Sequence, residues 1–159
     1  MSGDNGTKSF SATLETAGTR SITATDTVTA SIHGSQTGIT VNPAALASIT
    51  VSPAESTISA GTTETYSAEG FDTYGNSKGD VTGDTTFSIL PDGSCTTTDC
   101  GSQTAGAHTV TGTDGTFSDD ATLHVAGLAS VDGGGGIAEL LAVTTRMTVR
   151  AQFTGLSPV

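Results

Sequence analysis

Apolar residues in this chain recur at every second position over short stretches, each broken by Gly, Pro, Asn or Asp, and a period of two belongs to strands. Ile49 and Val51 alternate up to Pro53, and Tyr66, Ala68 and Gly70 alternate up to Phe71. Thr86-Phe-Ser-Ile89 is a further strand, His108, Val110 and Gly112 oppose Thr109, Thr111 and Thr113 in the next, and Thr122 to Val125 closes the set. Between them Asp72-Thr-Tyr-Gly-Asn76 reads as a turn, Pro91-Asp-Gly-Ser94 as the approach to a hairpin, and Ser118-Asp-Asp120 as a solvated polar turn. About seven short strands joined by turns predict an all-β chain folded as a Greek-key β-sandwich. Residues 8–14, Lys-Ser-Phe-Ser-Ala-Thr-Leu, also alternate and predict a strand near the start.

The pattern repeats. Thr16-Ala-Gly-Thr-Arg-Ser-Ile-Thr-Ala-Thr-Asp26 aligns with Thr104-Ala-Gly-Ala-His-Thr-Val-Thr-Gly-Thr-Asp114, and Leu46-Ala-Ser-Ile49 aligns with Leu128-Ala-Ser-Val131. The spacing of about 82 to 88 residues is the length of a small sandwich. This register predicts a partial unit over residues 1–42 that carries only its last strands, a short linker Asn42-Pro-Ala-Ala-Leu46, and one complete unit over residues 46–126. Residues 127–159 depart from it, with a flexible linker at Gly133–Gly136, a helix-compatible stretch Ile137–Val143 and an alternating Met147–Phe153.

Composition agrees with strands. About a third of the residues are Ser or Thr, 21 are Gly, and there is no Trp, so helix formers are sparse and β-formers and turn residues dominate. The net charge is −11, and residues 1–126 carry 14 acidic side chains against Lys8, Arg20 and Lys78. Such a surface repels phosphate backbones and anionic lipid, which argues against nucleic acid and membrane-surface partners. No apolar run is long enough to span a bilayer, and Met1-Ser-Gly-Asp-Asn-Gly6 lacks the basic and apolar regions of a secretory signal, so any signal is expected upstream.

Two cysteines occur, as Cys95-Thr-Thr-Thr-Asp-Cys100. Four intervening residues can close a disulfide at a hairpin tip, whereas a zinc site needs more ligands and a redox motif has two intervening residues. The disulfide is the expectation and free thiols the alternative; a disulfide implies an oxidising compartment. His33, His108 and His124 are the only histidines; His108 and His124 fall on the last two strands as candidate cross-strand neighbours and are expected to face solvent. With no nucleophile turn or third ligand near them, no catalytic residue is assigned. Asp72, Asn76, Asp80 and Asp84, four residues apart in a turn-rich segment, are calcium candidates, although Asx-turn chemistry accounts for them equally well. Gly133–Gly136 lacks the Lys-Ser/Thr of a phosphate loop. The Ser and Thr richness would suit O-glycans, and Asn5-Gly-Thr7 fits an N-glycosylation pattern.

Four segments in order, Leu46-Ala-Ser-Ile-Thr-Val-Ser-Pro53, Ala60-Gly-Thr-Thr-Glu-Thr-Tyr-Ser-Ala68, Gly70-Phe-Asp-Thr-Tyr-Gly-Asn76 and Thr104-Ala-Gly106 with His108-Thr-Val-Thr111, resemble the bacterial immunoglobulin-like (Big) tandem repeats of secreted and cell-surface proteins. The resemblance covers about residues 8–131. It implies immunoglobulin-like modules at a bacterial cell surface, with neighbouring repeats of the same protein as partners, serving adhesion or spacing and no catalysis. The alternative is a self-assembling extracellular filament subunit, in which an incomplete unit is completed by a strand of another chain, with Met147–Phe153 as candidate donor. A carbohydrate-binding module is disfavoured, because such platforms need exposed Trp or Tyr faces, and Tyr74 and Tyr66, the latter expected to be buried, are the only candidates.

Overall fold

The computed structural model describes residues 9–127, and the expectations on Asn5–Thr7, Gly133–Gly136, Ile137–Val143 and Met147–Phe153 lie outside them. The chain is all-β, with several antiparallel sheets and, among the described residues, a single 3-10 turn at Thr82–Asp84. The described residues open with a hairpin of β1 (Gly18–Thr25) and β2 (His33–Val41), which among those residues pair only with each other. Asp26 closes their connection, its carboxylate accepting the N–H groups of Val28 and Thr29. Residues 42–45 then lead into β3 (Leu46–Ser52).

From β3 onward two layers form. One contains β3, β6 (Ser67–Asp72) and β7 (Ser77–Asp80) in the order β3-β6-β7. Below it β5 (Glu64–Thr65), β10 (Asp99–Gly101) and β9 (Ser94–Thr96) pair in the order β5-β10-β9. Tyr66 separates β5 from β6 and stays tied to the next hairpin through its N–H, which donates to the Thr98 carbonyl at 2.9 Å. The other layer has β4 (Glu55–Ser59), β12 (Phe117–Ala126), β11 (Gly106–Asp114) and β8 (Thr86–Leu90) side by side in that order. All pairs are antiparallel except β4 with β12, which run parallel from Glu55↔Thr122 to Ser59↔Ala126.

The inward positions of these strands build the core. Val51, Tyr66, Ala68, Phe87, Ile89, Cys100, Val110, Ala121, Leu123 and Val125 form one buried cluster, with Ile58, Val81 and Cys95 packed at its margin. Gly112 takes an inward position on β11 because a Cβ there would lie 2.7 Å from Val51 Cγ2 and 3.2 Å from Phe87 Cε1. The layers are also tied by a polar contact: the Val51 N–H on β3 donates to Asp119 Oδ2 on β12 at 2.8 Å.

Four expectations are corrected. Asp119 and Asp120 sit within β12, not in a turn, and the reversal is made by Asp114-Gly-Thr-Phe117, with Gly115 at positive φ. Asp119 receives Val51 N–H and Asp120 receives the Thr111 hydroxyl at 2.6 Å, so neither carboxylate is merely solvated. His108 faces the core rather than solvent; it pairs with Leu123 while His124 pairs with Ala107, which puts the two rings on opposite faces of the sheet. The alternation at residues 9–14 forms no strand and Phe10 is exposed, since β1 and β2 offer each other their only pairing and a strand forms only where a neighbour accepts its backbone groups.

Candidate functional site

At the turn between β6 and β7, sequence-distant segments converge on a polar hub. Asp72 ends β6, and the chain reverses through Gly75 at φ 78, with Gly75 N–H on the Asp72 carbonyl and Asp72 N–H on the Asn76 carbonyl, both at 3.0 Å. The Asp72 side chain, 4% exposed, fills the centre of this turn. Its Oδ1 accepts the N–H groups of Tyr74 and Asn76, each at 2.9 Å. Its Oδ2 accepts the Asn76 side-chain amide and the Ala44 N–H, each at 2.8 Å. Burial alone would raise the pKa of this carboxyl; the Asn76 amide and the N–H groups of Ala44, Asn76 and Tyr74 outweigh burial and hold it at about 2.

Asn76, oriented by Asp72, reaches the other way. Its Oδ1 accepts the Ala17 N–H at 2.8 Å and its Nδ2 donates to the Glu15 carbonyl at 2.7 Å. Both amide hydrogens and the amide oxygen are therefore in use, which fixes the amide in one orientation. Lys78, two residues on, donates to the Ala44 carbonyl at 2.9 Å. One five-residue turn thus holds the segment leading into β1 and the linker between β2 and β3 at the same time.

The calcium candidates divide. Asp72 and Asn76 come together, but their oxygens are filled by N–H donors, and a cation would have to displace them. Asp80 caps the next turn, accepting Thr82 N–H at 2.8 Å, and the side-chain and backbone bonds from Thr82 lower its pKa; Asp84 lies in the 3-10 turn. Among the described residues no group of three or more His, Cys, Asp or Glu is placed to hold a metal ion.

At the far end of the sandwich, Asp92, Ser102 and the buried His108 meet beside an open depression of about 390 Å³. The Ser102 hydroxyl donates to Asp92 Oδ1, and His108 Nε2 lies 3.2 Å from the same oxygen. These bonds, Ser102 first and His108 second, lower the Asp92 pKa. The order matters for chemistry: the carboxylate stands between serine and histidine, so the hydroxyl proton points at a carboxylate and imidazole does not serve as its base. His124 Nε2 lies 3.0 Å from Glu55 Oε1 on the exposed side of β12 and β4. Tyr66 is buried and Tyr74 is exposed.

Cys95 and Cys100 form a disulfide between directly facing positions of β9 and β10. The hairpin is closed by Thr97-Thr98, with Thr97 at φ 57. No helix among the described residues is long and apolar enough to cross a membrane. No family model matches the chain, and no curated protein matches it significantly.

The sequence pointed to Asp72 and Asn76 as turn residues or ligands and missed their actual partners, Glu15, Ala17 and Ala44. No local signal names those partners, since all three are contacted through the backbone. His108 and Asp119 were misplaced although a signal existed. Each shares parity along its strand with inward residues, Val110 for the first and Ala121 and Leu123 for the second.

Proposed function

We propose that this chain is a non-catalytic spacer of a secreted or surface-exposed bacterial protein, built from tandem immunoglobulin-like units of the Big type. The observation that carries the reading is the Asp72–Asn76 hub, which joins the hairpin of one unit, the linker and the body of the next through side-chain bonds to Glu15, Ala17 and Ala44. A spacer needs a joint of defined direction, and a linker of a few residues gives direction only when something grips it.

Strand order supports the immunoglobulin-like part. With the short β4 and β7 set aside, β3, then β5 and β6 as one interrupted strand, then β10 and β9, face β8, β11 and β12. Immunoglobulin constant-type sandwiches arrange their seven strands as ABED against CFG, the same order. The tandem part is supported by the two hairpins: Gly18 pairs with Val41 and Gly106 with Val125, each glycine at positive φ and each ending the repeated Thr-Ala-Gly segment. The disulfide favours an oxidising compartment, hence the exterior.

A second reading, a filament subunit assembled by strand exchange, draws support from β1 and β2, whose outer edges are unpaired among the described residues and whose connection exposes Val28 and Ile32. Light scattering and small-angle X-ray scattering over a concentration series separate the two. The spacer predicts a monomer of constant dimensions, unchanged by calcium. Reversible growth with concentration would overturn it in favour of strand exchange, and calcium-dependent dimensions would return Asp72, Asn76, Asp80 and Asp84 to a ligand role.

A further inference from the structure

The joint has two halves, a turn that grips and a loop that is gripped, and the chain carries the gripped half twice. The first copy is Glu15-Thr-Ala-Gly18, whose Glu15 carbonyl and Ala17 N–H hold the Asn76 side chain at 2.7 and 2.8 Å. The second is Gln103-Thr-Ala-Gly106 at the start of β11, with Thr104-Ala-Gly106 identical to Thr16-Ala-Gly18. Their backbones agree as well as their sequences. Gly18 has φ 108 and Gly106 φ 144, a region that favours glycine, and each pairs with the valine that closes its hairpin. In each copy the side chain two residues past the glycine turns back onto a loop carbonyl: Arg20 Nη2 donates to Ala17 O, and His108 Nδ1 lies 3.3 Å from Gly106 O.

The second loop is also free to be gripped. Gln103, Thr104, Ala105 and Gly106 are all exposed, and neither the Gln103 carbonyl nor the Ala105 N–H enters a turn or loop hydrogen bond among the described residues. The chain leaves β12 beside it, since a Cβ on Gly127 would lie 3.3 Å from Ala105 Cβ. Gly127 therefore lies next to the loop, as the linker through Ala44 runs past the first joint.

We propose that the Gln103–Gly106 loop is a docking surface for the Asp-Thr-Tyr-Gly-Asn turn of a second unit of this kind joined head to tail. The incoming asparagine accepts Ala105 N–H and donates to the Gln103 carbonyl, repeating the joint made by Asn76. The inference rests on the spacer reading and adds to it the site that receives the next unit.

The test lengthens the whole chain by inserting an extra copy of residues 43–126 between Ala126 and Gly127, and reads amide hydrogen exchange residue by residue. One net hydrogen bond of about 1 kcal/mol slows exchange by roughly five- to tenfold. Ala105 N–H in the first complete unit is expected to slow by that factor in the lengthened chain relative to the original. The gain should vanish when the asparagine of the inserted turn is changed to Ala, while Val110 N–H, deep in the core, stays protected in every chain that has folded. An Ala105 N–H that exchanges equally in the original and lengthened chains overturns the proposal without recourse to any substitution. Ala17 N–H in the original chain separates the two levels: protected there, and released by Asn76→Ala, it leaves the spacer joint standing even if Ala105 fails. Unprotected Ala17 removes both.

Discussion

Breaking the Cys95–Cys100 bridge should destabilise the sandwich by an amount that depends on which partner is changed. The crosslink closes a loop of sequence separation 5, for which the chain-entropy relation gives about 2 kcal/mol. Reducing the native protein removes this contribution and nothing else. Cys95 is only partly buried, so Cys95→Ser should cost about the same 2 kcal/mol, its new hydroxyl remaining within reach of water. Cys100 is 0% exposed on the central strand of the β5-β10-β9 sheet, and Ser there buries a hydroxyl among Tyr66, Ile89 and their neighbours. That adds roughly 1 to 3 kcal/mol, for a total of about 3 to 5 kcal/mol. Urea denaturation followed by circular dichroism reads the series. With a slope of about 1 to 2 kcal/mol/M, reduction and Cys95→Ser should each lower the midpoint by roughly 1 to 2 M, and Cys100→Ser by more. Equal midpoints for the two serine variants would refute the buried-hydroxyl reasoning, and a midpoint indifferent to reductant would refute the entropic one.

Three further outcomes are expected. Gly112→Ala should cost about 1 to 3 kcal/mol in the same assay, because its Cβ would sit 2.7 Å from Val51, itself 1% exposed and unable to retreat. Thr97→Gly should raise stability by about 0.5 to 1 kcal/mol, since a β-branched residue at φ 57 is strained by more than glycine adds in unfolded-chain entropy; a loss would show that the Thr97 side chain makes a compensating contact. Asp72 titrates at about 2 in the folded chain against an ordinary 3.8, so its contribution is complete above pH 4 and disappears as pH falls through 2. Thermal midpoints of the native protein should drop across that window, and those of Asp72→Asn should drop less steeply.

How much of this was legible depends on what specifies each element. Strands whose inward residues are apolar could be read directly: Ile49 and Val51 on β3, Phe87 and Ile89 on β8, Leu123 and Val125 on β12. Ser77–Asp80 was unreadable, because all four residues are exposed and its pairing with β6 is made through the backbone, with no apolar alternation to mark it. Glu55–Ser59 offers only Ile58 as an apolar contact, and its parallel pairing with a strand more than sixty residues away leaves no local trace. The turn at Asp72–Asn76 was evident from its residue types. Its hold on Glu15 and Ala17 was not, since what Asn76 grips is peptide backbone, which every residue possesses.

The parallel pairing of β4 with β12 has a mechanical consequence. Tension drawn through the unit enters this pair at Glu55, beside Thr122, and leaves it at Ala126, beside Ser59, so the pull runs along the strands from opposite ends. The five facing pairs from Glu55↔Thr122 to Ser59↔Ala126 then resist together, where an antiparallel pair pulled from one end would open rung by rung. Rupture under force is governed by the unfolding rate rather than by equilibrium stability, and a shared load of this kind raises the barrier to that first step.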